Sequence, residues 1–348
     1  MKQVYINGIG AVIGDSSELE DIWCLLEEKQ TTKEAKIQEI PPFISKRKTR
    51  RMDRFSVLAL YGIYSVFKDL DKIRADFDPY EVGTIYNSDY GPLNTLLDFA
   101  SSLSEESEIE PSPVMFANTV LNACIGHLCI ELGLKGVSTM MLGSNYVGYA
   151  MQLIQQNKAR KIVVGGLDEY NSELFKTFND LGIGVREGSS TIILADEVDS
   201  NSFCEVIAYS GVNLNSHYCF DPQFTPKKED IQVAINNVLA RANLTANKID
   251  AVITASDNQD FTNIETAVIC QIFGENIPIL HPKYTLGELL GASLGMNITV
   301  GALALKKQKL PLHEVNKPLQ YVLVNDFNMN GNYTAFLLKR VSGGNNDV

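Results

Sequence analysis

The stretch Gly136-Val137-Ser138-Thr139-Met140-Met141-Leu142-Gly143-Ser144-Asn145-Tyr146-Val147-Gly148-Tyr149-Ala150-Met151 decides how the chain is read. Ser138 to Leu142 is a short apolar run between glycines, the pattern of a buried strand. Gly143 permits a tight turn, and Ser144 or Asn145 caps the helix that follows. Ala150, Leu153 and Ile154 fall at helical spacing. Lys161 to Val164 makes a second buried strand, ended by Gly165-Gly166 and followed by Leu167-Asp168. The order is strand, sharp turn, helix, strand. Such a turn presents one side chain at the positive end of a helix, where many enzymes hold a nucleophile. Here that side chain is Ser144 or Asn145.

The alternation extends in both directions. Val4 to Ile13 reads as a first strand, and Ser16 or Ser17 caps a helix running to about Leu26. Gly8-Ile9-Gly10 lacks the third glycine and the acidic partner of a dinucleotide loop. Residues 30–53 form a polar connector. Phe55 to Leu70 is a helix, Val82 to Asn87 a strand, Leu103 to Pro113 an exposed loop, and Thr119 to Leu132 a helix whose His127 is a packed, hydrogen-bonded residue. Ser190 to Ala195 is a strand, and a polar, acidic break follows at residues 197–202. The second half repeats the pattern, with strands at Glu205 to Val212, Ala251 to Thr254, Gln320 to Asn325 and Asn332 to Lys339. Its helices are Lys228 to Asn243, Ile264 to Phe273 and Glu288 to Lys306. Two halves, 1–197 and 203–348, with the same strand–helix order predict a duplicated, layered α/β architecture.

The composition narrows the partners. With 348 residues and a formal charge of -12, the chain lacks the net basic face that phosphate binding needs, so nucleic acid is not expected. No apolar run is long enough to span a membrane, and the N-terminal pattern is not that of a signal peptide. Six cysteines form no CxxC pair, and Cys124 with Cys129 is poor zinc spacing. They read as reduced thiols of a cytoplasmic protein, with no metal and no cofactor expected. Against the acidic background, Ser45 to Arg54 is a dense basic run; it is either a solvated, locally paired segment or a docking patch for an acidic protein.

Read together, these pieces resemble the β-ketoacyl synthases, the condensing enzymes of fatty-acid and polyketide synthesis, nearly end to end. Val4 to Ala11 is similar to the opening strand of that family. Arg50-Arg51-Met52-Asp53-Arg54-Phe55-Ser56 resembles its basic segment before an early helix. Thr119 to Asn122, Gly126-His127-Leu128 and Gly133 to Gly136 resemble the approach to its nucleophile. Val163 to Gly166, Glu265 to Gly274, Lys283 to Ala292, and Asn325-Asp326-Phe327 with Gly331-Asn332 are similar to its later landmarks. The resemblance implies a thiolase-like duplicated α/β fold, layered α/β/α/β/α with two mixed sheets.

The departures from the family carry the functional expectation. Active members use a cysteine nucleophile and two histidines. This chain offers Ser144 or Asn145 at the turn, Ser256 at the first histidine and Glu288 at the second; only Lys283 matches. Asn328 and Asn330 replace glycines of the final turn. A glutamate at position 288 would oppose an enolate, and an ion pair with Lys283 neutralises both. The resemblance therefore points to a chain-length-factor-like subunit, heterodimeric with an active ketosynthase and working with an acyl carrier protein, of the aryl-polyene type. Met115, Asn118, Asn122, Met140 and Met141 are the expected partner and tunnel residues, and Arg47, Arg50 and Arg51 the expected carrier-docking residues. Two alternatives stand beside it. One is a Ser144-based acyltransferase or thioesterase using Glu288 or His127 as base. The other is a stand-alone homodimer that binds a hydrophobic ligand.

Overall fold

Near-continuous apolar strands explain the architecture, because alternate side chains of one strand enter two different cores. The computed structural model describes residues 2–14, 16–29, 36–37, 46–67, 78–104, 110–143, 145–217, 220–221, 224–256 and 258–341. The N-terminal half contains strands β1 (Tyr5–Ile13), β2 (Val82–Ser88), β3 (Ser138–Leu142), β4 (Lys161–Asp168) and β5 (Gly188–Ala195). Its helices are α1 (Leu19–Glu28), α2 (Lys46–Thr49), α3 (Arg54–Phe67), α4 (Leu93–Ser102), α5 (Pro113–Asn118), α6 (Leu121–Leu132), α7 (Tyr146–Gln155) and α8 (Ser172–Asp180). The C-terminal half contains β6 (Cys204–Asn213), β7 (Ala251–Ile253), β8 (Ile279–Leu280), β9 (Tyr321–Phe327) and β10 (Asn332–Arg340). Its helices are α9 (Lys228–Ala242), α10 (Gln259–Phe273), α11 (Pro282–Leu286) and α12 (Ser293–Lys307).

The strand order is β3-β2-β4-β5-β1-β6-β10-β9-β7-β8. Each half repeats one topology. In the first, β1, β5 and β4 pair antiparallel, and β2 and β3 extend β4 in parallel. In the second, β6, β10 and β9 pair antiparallel, and β7 and β8 extend β9 in parallel. The two mixed halves join into one ten-stranded sheet, because β1 and β6 start side by side and pair at Tyr5–Glu205 and Ile6–Cys204.

Three cores give the layers. Leu323, Ala335 and Leu337 face an outer core with α9 and α10, whereas Val322, Val324, Phe336 and Leu338 face the central core. In the N-terminal half, Val163 and Ile193 face an outer core with α3 and α6, and Ile162, Val164 and Ile192 face the same central core. Helices α7 and α12 fill that central layer, which both halves of the sheet cover.

Several local expectations shift. Ser16 pairs with Ile13 in a tight bridge, so α1 starts later, and its N-cap residue, Glu18, makes no side-chain cap. Glu288 does not open a long helix; it lies before a short 3-10 turn, and α12 begins at Ser293. Gly165-Gly166 lies inside β4 rather than ending it, because a Cβ at Gly166 would sit 2.0 Å from the Gly291 carbonyl oxygen. Strand β3 is an edge strand, half exposed rather than buried.

Candidate functional site

The turn after β3 is built for close approach. Gly143 has φ +50, and a Cβ there would meet Asn330 Nδ2 at 1.5 Å, so only glycine fits. Ser144 lies outside the described residues. Asn145 is the N-cap of α7, and its Oδ1 accepts from Gly148 N at 2.9 Å. That bond satisfies a helix-terminal amide and spends the side chain on capping. An amide is also no nucleophile of the kind covalent catalysis uses.

The β9–β10 turn closes over this point from the other half. Asn328, Asn330 and Asn332 each donate from Nδ2 to the Gly143 carbonyl, at 3.2, 3.0 and 3.3 Å. Asn328 Oδ1 in turn accepts from the backbone of Asn330 and Asn332. Amide side chains therefore occupy the space between the helix start and the last turn. Among the described residues, a cavity bordered by Asn145, Asp89, Asp326 and Leu290 holds about 10 Å³. That is about the room one water needs.

Beneath it lies a buried charge cluster. Lys283, presented by the short helix α11, places Nζ 2.8 Å from Glu288 and 3.3 Å from Asp326, and donates to the Phe327 carbonyl at 3.1 Å. Glu288 also accepts from Leu290 N at 2.8 Å and from the Ser293 hydroxyl. Leu290 adopts φ +51, a strained conformation for leucine that holds its amide on Glu288. Asp168, at the end of β4, accepts from Ser88 Oγ and from the backbone of Asp89, Tyr90 and Gly291. Burial pushes the carboxyls of Asp168 and Asp326 up to about 6, against their hydrogen bonds in the first case and against Lys283 in the second. Asp89 is held well above the usual carboxylate range, by burial first and then by Asp168, Glu288 and Asp326. His217 stacks on Phe327 with ring centroids 4.7 Å apart, and burial followed by Lys283 pushes its imidazole down to about 3. It is neutral at physiological pH.

No family model matches the chain. It is 24% identical to a 3-oxoacyl-[acyl-carrier-protein] synthase 2 of Synechocystis sp., over 89% of this chain and 87% of that protein. A β-ketoacyl synthase from Burkholderia phymatum superposes with a TM-score of 0.80 at 21% identity, covering 98% of this chain and all of that one. A ketosynthase solved in complex with its chain length factor, from Xenorhabdus doucetiae, gives 0.77 at 18% identity over 98% of both chains. This is the thiolase-like fold of the β-ketoacyl synthases.

On that synthase-like scaffold the expected site residues separate into groups. Lys283 and Glu288 form the expected ion pair. Ser256 is buried, and its Oγ accepts from Asn258 N at 3.1 Å, in the turn that Asn258 uses to cap α10. Met140 packs on the outer N-terminal core and Met141 on the central core, from opposite faces of β3. Met115 is half-buried, Asn122 exposed, and Asn118 is bonded to the Arg51 carbonyl and to His127 Nε2. None of these five borders the small cavity. Arg47, Arg50 and Arg51 are exposed, whereas Arg54 of the same run is tied to buried Glu187 at 2.6 Å. Sequence reading missed Asp89, Asp326 and His217 as members of the cluster. Asp89 directly follows strand β2 and Asp326 lies near the end of β9; a carboxylate at the carboxyl end of an apolar strand is a usable signal of a site in α/β sheets. His217 carries no such signal. Among the described residues, no three His, Cys, Asp or Glu side chains form a metal site, and no helix is long and apolar enough to cross a membrane.

Proposed function

We propose that this chain is a non-condensing, chain-length-factor-like partner of an active ketosynthase in polyketide or fatty-acid synthesis, of the aryl-polyene type. The carrying observation is the filled centre. A cavity of about 10 Å³ has no room for an acyl thioester and a malonyl extender. No cysteine lies on the β3–α7 turn, and Glu288 is held by Lys283, so it is not a free base. The exposed, apolar edge of β3 supports the assembly half of the reading, because it offers a partner strand an unpaired row of backbone groups. Val120, in the Met115 to Asn122 segment, and Leu142, at the end of β3, are exposed apolar side chains in the two segments assigned to the interface on this reading. Met140, Met141 and Met115 then shape a tunnel shared with the partner. Arg47, Arg50 and Arg51 receive an acidic carrier protein across the complex.

The test combines two assays. The purified chain given acyl and malonyl thioesters yields no condensation product; turnover by the chain alone overturns the reading. Paired with a cysteine-bearing ketosynthase, the variant Met141→Trp shortens the product, and an unchanged product removes the tunnel assignment. Charge reversal at Arg47, Arg50 and Arg51 lowers carrier affinity and its salt dependence, whereas unchanged affinity removes the docking assignment.

A further inference from the structure

Helix α4 lies on the surface with almost no core of its own. Ser102 alone among its ten residues is buried. Its N-cap, Pro92, makes no side-chain cap, so polar groups from elsewhere hold its first turn. Glu169, the residue after β4, accepts from Asn94 N at 3.0 Å through Oε1, and Asp53 Oδ2 accepts from the Thr95 hydroxyl at 3.2 Å. The Asn94 side chain completes the seat. It donates to the Tyr170 carbonyl at 2.8 Å and accepts from Asn171 Nδ2 at 2.9 Å.

Glu169 is badly placed to carry a charge. It is 3% exposed, and its Oε2 has no hydrogen-bond partner among the described residues. A buried carboxylate oxygen without a donor is unfavourable. The charged groups around it add to the cost. Asp53, just before α3, and Glu187, just before β5, both oppose its ionised form. Arg54, at the start of α3, is committed to both oxygens of Glu187, at 3.1 and 2.6 Å. Lys36 lies over the Tyr170 ring, 5.6 Å from its centroid. Asp168, the neighbour in the chain, turns to Ser88 and Gly291. Burial first, then Asp53 and Glu187, push the Glu169 carboxyl up to about 7 against its bonds from Asn94.

We propose that Glu169 is a proton-operated latch on α4: protonated, it holds the first turn of the helix in a dry seat, and ionised, it releases that turn to water. With the turn lifted and the carboxylate hydrated, the group titrates in the ordinary range, at about 4.3. The closed form therefore holds the proton more tightly than the open one. The stability that Glu169 gives the closed turn is complete below the open-state value and is lost as pH rises to the closed-state value. The movement passes to α5, because the Phe116 ring of α5 lies 5.3 Å from the Phe99 ring of α4. The proposal holds for the chain alone and does not rest on the partner-subunit reading.

The experiment is hydrogen–deuterium exchange of the purified full chain between about pH 5 and 8, with each rate divided by the intrinsic rate at that pH. Mass spectrometry of peptides covering residues 93–102 gives the opening constant of α4. The expected constant rises by up to about tenfold per pH unit below about pH 7 and levels off above it. Glu169→Gln keeps a neutral side chain and the Asn94 bond, so its α4 stays protected with no rise across the range. A wild-type constant that stays flat overturns the proposal, as does a rise that survives Glu169→Gln. Should that variant fail to fold, the shape of the wild-type profile decides. A plateau above about pH 7 supports the latch, and a climb that continues unchanged to about pH 8 removes it.

Discussion

Strands β3 and β8 hold the same place in the two halves, at opposite ends of the sheet, and they are treated differently. β8 has only two residues, and the His313 ring bonds the Ile279 carbonyl at 2.8 Å. A short, capped edge is a protected edge. β3 has five residues, its apolar Leu142 is 53% exposed, and no strand lies beyond it among the described residues. One topology thus yields a finished end and an open one. The C-terminal half, which carries the finished end, also carries the Lys283 cluster. On the proposed reading, changes there act on stability, and changes along β3 act on assembly.

The largest expected effect breaks the C-terminal half. Lys283→Met strips Glu288 and Asp326 of their shared cation and lowers the unfolding free energy by about 3–5 kcal/mol. The double variant Lys283→Met/Glu288→Leu recovers much of that loss in denaturant melts, since it removes the stranded carboxylate too. A single variant as stable as the wild type contradicts the cluster's role. Leu142→Glu addresses the open end. It weakens the ketosynthase complex by about 2 kcal/mol, roughly thirtyfold, while the isolated chain's stability stays within about 0.5 kcal/mol. Ile279→Thr on β8 shows the reverse pattern, with lower stability and unchanged partner affinity.

The pH dependence sharpens the same contrast. Burial raises Asp168 and Asp326 to about 6 and Glu169 and Glu265 to about 7. The folded chain holds these protons more tightly than the unfolded one. The stability they contribute is present below the unfolded carboxylate range and is lost as pH rises toward the folded values. His217, lowered to about 3, acts oppositely, costing stability as pH falls below its unfolded value. Four carboxylates outweigh one imidazole, so the unfolding midpoint falls between about pH 5 and 7. A rising midpoint contradicts this, and Glu265→Gln makes the fall shallower. The smallest effect is Asn330→Ala, which removes one of three amides from the Gly143 carbonyl and costs about 0.5–1.5 kcal/mol. It restores no condensation.

Much of this was legible in the residues. Alternating apolar strands and capped helices predict the duplicated α/β layers, and Lys283 with Glu288 predicts a pair. Short-range pattern could not show that Ser138 to Leu142 ends the sheet, since an apolar run reads alike in the middle and at an open edge. Nor could it show that Gly165-Gly166 serves the approach of Gly291, a contact across more than a hundred positions. The helices Leu93–Ser102 and Ser172–Asp180 carry their apolar residues among polar ones, and the sequence reading names neither. The cluster around Asp89 is assembled from the ends of three strands, β2, β4 and β9, and from the α11 segment, and its members acquire meaning only when the sheet closes.

The most direct test is native mass spectrometry of the chain expressed alone and then with a cysteine-bearing ketosynthase encoded near it. The account predicts a one-to-one complex through the β3 edge, diminished by Leu142→Glu. A stable homodimer that ignores every such synthase would contradict it.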